Sequence, residues 1–204
     1  MSKIAIIGAT GRAGSQLLEE ALRRGHQVTA IARHASRLGE RAGVVSIDVD
    51  ASDASALQKA VAGHDVVLSA AHFSTLPARA ILEPVKAAGV KRLLFVGGAG
   101  SLLLPDGSRV IDSPDFPAAY KAEASAGSEY LATLLQEKDL DWTFLSPSAE
   151  FIEGPRTGAF RLGTDHLLFD EQGKSAISFA DFAIALLDEV EHPRHSRQRF
   201  TVGY

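Results

Sequence analysis

Short all-apolar runs alternate with amphipathic stretches along the first half of the chain. Ile4-Ala5-Ile6-Ile7 is apolar at every position and stops at Gly8, the pattern of a strand buried on both faces of a parallel sheet. Over residues 13–24, Leu17, Leu18, Ala21 and Leu22 recur at helical spacing while Glu19, Glu20, Arg23 and Arg24 fall off that face. This predicts an amphipathic helix, ended by Gly25. Strands are then predicted at 28–32, 44–47, 65–70 and 91–96, with helices at 53–62 and 78–88. Such alternation predicts an α/β protein built on a doubly wound parallel sheet.

After Gly100 the rhythm changes. Residues 102–117 carry Pro105, Gly107, Pro114 and Pro117 and predict a loop too long for a plain connector. A helix is expected at 118–138 and a strand at 142–145, before Ser146-Pro147. Residues 154–173 predict irregular chain with a hairpin pairing Arg161-Leu162 with Leu167-Leu168-Phe169. A helix at 180–191 and a strand at 200–202 complete the pattern. No repeat or linker divides the chain. One domain over 1–204 is expected, with its core at about 1–147 and a small irregular substrate-side region with the last helix at about 148–199.

Composition narrows the function classes. The chain is 46% hydrophobic and 23% charged, ordinary for a soluble globular protein. A net charge of -4 offers no general pull towards nucleic acid or an acidic membrane, and neither is expected as a partner. The absence of cysteine removes disulfides, thiolate metal sites and cysteine nucleophiles. No metal site is expected, because the His, Asp and Glu residues show no ligand spacing. The apolar run after Met1-Ser2-Lys3 is too short for a secretory core and nothing resembles a membrane span, so a cytoplasmic protein is expected.

The chemistry begins at Gly8-Ala9-Thr10-Gly11-Arg12-Ala13-Gly14, between the first strand and the first helix. Glycine serves three needs there: a sharp turn, a backbone that can approach a pyrophosphate, and close packing of helix on strand. Free N–H groups at the helix start then meet the phosphate charge. Gly8, Thr10, Gly11, Arg12, Ala13 and Gly14 are therefore expected to hold a dinucleotide in a Rossmann fold. Where an NAD site places an acid after the second strand, this chain has Arg33, with Arg37 one turn on. A guanidinium suits a 2′-phosphate, so NADP(H) is favoured over NAD(H); an Arg33 that only stacks on adenine would admit both. Asp48-Val49 either lines the adenine pocket or serves as a cap or turn. Ala70, Ala71 and His72 follow the fourth strand, at the carboxyl edge where ligands bind. His72 is a candidate near the nicotinamide, with Phe73 stacking on an aromatic acceptor; otherwise both are loop residues.

The motif Gly-Ala-Thr-Gly-Arg-Ala-Gly, Arg33, Gly97-Gly98-Ala99-Gly100 and Trp142-Thr143-Phe144-Leu145-Ser146-Pro147 together resemble the atypical short-chain dehydrogenase/reductase superfamily. Within it the chain looks most like NADH-flavin reductases close to the biliverdin reductase B and NmrA-like groups. The resemblance implies cofactor contacts from Gly98, Ala99 and Pro147, and a lysine that holds the nicotinamide ribose, here Lys121. It also implies a tyrosine four residues before that lysine, and this chain has Pro117 there. Tyr120 lies about 100° around a helix from Lys121 and cannot take over. Ser101 lies near the superfamily's serine position, displaced by a residue or two. A reductase of a flavin (FMN or FAD), quinone or similar planar acceptor follows, since such an acceptor needs no dedicated protein acid. Lys121, Ser101 and His72 are its candidate catalytic residues. The alternative is a non-catalytic NADP(H) redox sensor, and either would be a monomer or homodimer.

Overall fold

The computed structural model describes residues 1–204. Six parallel strands follow the predicted order: β1 (Lys3–Ile7), β2 (Gln27–Ala32), β3 (Val44–Asp48), β4 (Val66–Ser69), β5 (Arg92–Val96) and β6 (Asp141–Ser146). Between and after them run helices α1 (Arg12–Arg23), α2 (Ala54–Val61), α3 (Ala78–Ala87) and α4 (Lys121–Leu134). The C-terminal part adds β7 (Glu150–Ile152), β8 (Arg161–Gly163), β9 (Ala176–Ser178), α5 (Phe179–Glu191) and β10 (Gln198–Gly203). The main sheet has the order β3-β2-β1-β4-β5-β6-β10-β8, parallel throughout except for β8. The chain turns back between β1 and β4, the switch point where open α/β sheets bind ligands.

The apolar run of β1 sends its side chains to two cores. Ile4 and Ile6 pack with Leu17, Leu18 and Ala21 of α1 and Phe182 and Leu186 of α5. Ala5 and Ile7 face Leu57 of α2, Ile81 of α3 and Leu134 of α4. Burial on both faces is why the run lacks polar positions.

Two expectations are corrected. The stretch 118–138 is not one helix: a 3-10 turn, Ala118–Tyr120, precedes α4, which stops at Leu134. Glu137 accepts hydrogen bonds from the Asp139 and Leu140 amides at 2.6 and 3.2 Å, favouring a turn there. The hairpin of Arg161-Leu162 with Leu167-Leu168-Phe169 does not form. β8 pairs instead with β10, whose outer edge would otherwise be unpaired, and the Leu167 amide bonds Leu103 O at 2.9 Å. β7 and β9 form a separate two-stranded parallel sheet, three residues each and too short to leave a periodic signal.

This C-terminal part is bound down by two buried acids. Asp181, fully buried, accepts from the Thr157 and Gly158 amides at 2.7 and 2.9 Å. It also accepts from the Thr157 and Tyr204 hydroxyls at 2.5 and 2.9 Å. Asp181→Ala strands these donors and is expected to lower stability by about 3 kcal/mol in urea unfolding. Asp181→Asn, which keeps an acceptor for the amides, should recover part of the loss.

Glu20 of α1, also buried, is gripped by Arg156 at 2.7 and 2.9 Å and by Arg24 at 2.8 Å. Burial pushes the Glu20 carboxyl up, but the hydrogen bonds from Arg156 and Arg24 outweigh it and hold it below the usual carboxylate range. Its contribution to stability is therefore full above the ordinary glutamate range and is lost as pH falls through the depressed folded value. Between about pH 7 and about pH 3, urea midpoints should fall less steeply in Glu20→Gln.

Candidate functional site

Three loops and the first turn of a helix meet above the switch point. The loop after β1 turns at Gly8, whose φ of +79° favours glycine. Its amide bonds Ile31 O at 2.8 Å, and the Gly11 amide returns to Gly8 O at 3.0 Å. The amides of Thr10, Arg12, Ala13 and Gly14 have no acceptor within the protein, and Gly11 caps α1 without a side-chain bond. A Cβ on Gly14 would lie 2.1 Å from Gly8 O, and one on Gly8 2.9 Å from Ala70 O. The exits of β1 and β4 are thus in contact, with Ala70 N bonded to Ile7 O at 2.9 Å. A cradle of unsatisfied N–H donors that side chains would fill fits a diphosphate.

Around it stand unpaired cations. Arg33, just beyond β2, and Arg37, in the 3-10 turn Ala35–Leu38, are both exposed and enter no ion pair. Arg12 leans over the Phe179 ring, its guanidinium carbon 5.5 Å from the centroid. It lines a cleft of about 350 Å³ with Thr10, Gly11, Glu153 and Gly154. Asp48 accepts from the Ser36 amide and hydroxyl, both at 2.8 Å. Those bonds hold its carboxyl below the usual range. Val49, half-buried, donates its amide to Ala32 O at 3.0 Å.

The other edge of the crevice is organised by α4. A Cβ on Gly100 would lie 2.9 Å from the Ala124 methyl, which sets the Gly98-Ala99-Gly100-Ser101 loop against the first turn of α4. Lys121 opens that helix, exposed. Glu123 reaches to the loop after β4 and accepts from the Phe73 and Ser74 amides at 2.7 and 3.1 Å. His72 is exposed, with Nδ1 3.4 Å from Glu123 Oε1. Gly100, next to Ser101, and Glu123, which His72 contacts, thus both meet the helix turn that Lys121 opens.

Phe73, the expected stacking platform for an acceptor, is half-buried in the fold. Its ring packs between Tyr130 and Phe144 at centroid distances of 5.0 and 5.9 Å, because Gly98 and Gly127 leave room for it. Phe151 likewise packs on Phe179 and Phe182 at 4.3 and 4.7 Å. Tyr120 is 67% exposed and Tyr130 is 4% exposed. Burial pushes the Tyr130 phenol up, the wrong direction for proton exchange near neutral pH.

At the end of β6, Ser146, Pro147 and Ser148 are all buried. Ser148 donates to Val202 O at 3.0 Å, whereas the Ser146 hydroxyl has no partner. Pro147 lacks an N–H, so only its carbonyl can serve a ligand. Sequence reasoning missed Glu123 and Arg199. The latter's Nη1 lies 3.4 Å from Ser101 Oγ while Asp165 holds the rest of the guanidinium, its Oδ1 2.8 Å from Nε. Neither residue carries a motif; only contacts across the fold identify them. In the basic run 192–199, His195 stacks on Phe200 and lies 2.8 Å from Glu189, a structural role.

Comparison with known families decides what kind of crevice this is. A family model described as NAD(P)H-binding matches residues 8–193. The chain belongs to this NAD(P)H-binding family. The resemblance to atypical short-chain dehydrogenases/reductases is thereby borne out, as is the Rossmann fold. Three solved relatives show how widely the NAD(P)H-binding family is described. A Burkholderia pseudomallei protein provisionally called exported is 44% identical, with 100% of both chains covered and a TM-score of 0.91. A Bacteroides thetaiotaomicron protein provisionally called an epimerase is 41% identical over 99% of this chain and 96% of its own, TM-score 0.94. A Streptococcus pneumoniae protein provisionally called an NADH-flavin reductase is 36% identical over 100% and 99%, TM-score 0.86. No helix of the chain is long and apolar enough to cross a membrane.

Proposed function

We propose that the protein is a reductase passing hydride from NADPH to a planar acceptor, a free flavin or a quinone. The observation that carries this reading is the proline at position 117, where the superfamily's phenol would stand four residues before Lys121. Reducing a ketone creates an alkoxide that requires a positioned acid. A reduced flavin or quinone spreads its charge over a ring and makes far less demand on one.

Gly8, Thr10, Gly11, Arg12, Ala13 and Gly14 hold the diphosphate, and Ala70, Ala71 and Val49 wall the crevice. Asp48 acts through Ser36 by fixing the turn that carries Arg37. Arg33 takes the 2′-phosphate, which favours NADP(H) while leaving NAD(H) a weaker ligand. Lys121 binds the nicotinamide ribose. Gly98, Ala99 and the Pro147 carbonyl border the nicotinamide, and the acceptor lies above it near His72 and Ser101. NADPH supplies the hydride when bound; the chain orients it. Steady-state oxidation of NADPH should accelerate when FMN or menadione is added. The absence of any acceptor-dependent rate over a broad panel would contradict the proposal.

The missing phenol also favours a second reading, a sensor of the NADP(H) redox state. A sensor must bind the two cofactor forms unequally to shift any equilibrium. Equal affinities for NADP+ and NADPH would rule it out.

A further inference from the structure

We propose that His72 is the proton donor to the reduced acceptor and that Glu123 is its positioning residue. The inference rests on the reductase reading and deepens it, naming the side chain that supplies the proton where the superfamily's phenol is missing. Three observations support it.

First, His72 sits at the carboxyl edge of the sheet two residues beyond Ala70, which touches the Gly8 turn, and its side chain is 82% exposed. Second, Glu123 Oε1 is 3.4 Å from His72 Nδ1. A carboxylate beside Nδ1 orients the ring and leaves Nε2 free to meet an acceptor. Third, the carboxylate itself is fixed. Its oxygens accept from the Phe73 and Ser74 amides, and the Phe73 ring is wedged against Gly98 and Gly127. The same residue thus ties the loop bearing His72 to the helix turn bearing Lys121, and it is His72's sole ion-pair partner.

A quinone in this position takes up two electrons as hydride from NADPH, which leaves as NADP+. One quinone oxygen becomes a phenolate and takes a proton from His72 Nε2, forming an O–H bond as the N–H bond breaks. Neutral His72 then recovers its proton from water. The proton matters most where the reduced anion is more basic, so quinones with electron-donating substituents should lose more rate than electron-poor ones when His72 is replaced.

The test is the pH dependence of kcat/KM with menadione, together with NADPH binding followed by fluorescence. In the unmodified protein kcat/KM should fall at alkaline pH through one ionisation. In His72→Gln that limb should vanish and the rate at acid pH should drop about 100-fold, with NADPH affinity unchanged. Glu123→Gln should keep the limb and lower kcat more than it raises KM, since the ring loses its positioning contact while Nε2 is retained. His72 is exposed, so its replacement leaves the fold intact. Turnover that survives His72→Gln with the alkaline limb in place overturns this role alone. No turnover in the unmodified protein despite tight NADPH binding overturns the reductase reading, and this role with it.

Discussion

Gly14→Ala is expected to abolish NADPH binding. The added methyl would lie 2.1 Å from Gly8 O and 2.8 Å from Gly8 C. These are backbone atoms of the turn itself and cannot swing aside. The first turn of α1 must then move away from β1, taking with it the Ala13 and Gly14 amides. Overpacking of this kind costs about 1–3 kcal/mol of stability, so thermal melting should fall measurably while the fold persists. Affinity should fall at least about 100-fold, equivalent to about 2.7 kcal/mol of lost binding. Gly11→Ala provides the graded comparison, since its methyl would lie 3.3 Å from Gly8 O, a contact that a small adjustment relieves. Fluorescence titration, with circular dichroism as a check on folding, measures both. A folded Gly14→Ala that binds NADPH normally would show that the tight turn is not what holds the ligand.

Arg33→Asp should reverse the cofactor preference. The side chain is exposed beyond β2 and enters no ion pair, so its loss breaks no hydrogen bond within the fold. A hydrogen bond to a charged group contributes about 1.5–3 kcal/mol net, and the introduced carboxylate repels the 2′-phosphate. The Kd for NADPH should rise about 100-fold, while that for NADH changes by no more than a few-fold. Calorimetric titration with the two cofactors separates the possibilities. Equal losses for both would mean that Arg33 stacks on the adenine, which the two cofactors share.

The parts of the molecule visible in the sequence are those whose physics is local. The buried run Ile4–Ile7, the glycine spacing from Gly8 to Gly14 and the amphipathic face of α1 each declare themselves within a dozen residues. Six parallel strands and the phosphate cradle follow from such signals. What depends on distant contacts did not declare itself. β7 and β9 are three residues each and exist because they pair with one another. β8 is fixed by the open edge of β10 rather than by a partner close in sequence.

The candidate site divides in the same way. Arg33 and Lys121 are legible because each follows a recognisable motif or element boundary. Phe73 looked like a ligand platform because an aromatic at a strand exit is exposed by default. Only the empty space at Gly98 and Gly127 shows why it turns inward. Glu123 resembled an ordinary helix-face acid until the Phe73 and Ser74 amides, some 50 residues away in sequence, were found pointing at it. The Ser178 hydroxyl accepts the Asp181 amide at 3.0 Å, a contact local in sequence. The grip of Asp181 on Thr157 and Gly158 is not local and leaves no pattern.

A crystal structure with saturating NADPH tests the central claim most directly. The account predicts diphosphate oxygens about 3 Å from the unsatisfied amides of Thr10, Arg12, Ala13 and Gly14, with Arg33 against the 2′-phosphate. A dinucleotide bound elsewhere, with the turn after β1 vacant, would contradict it.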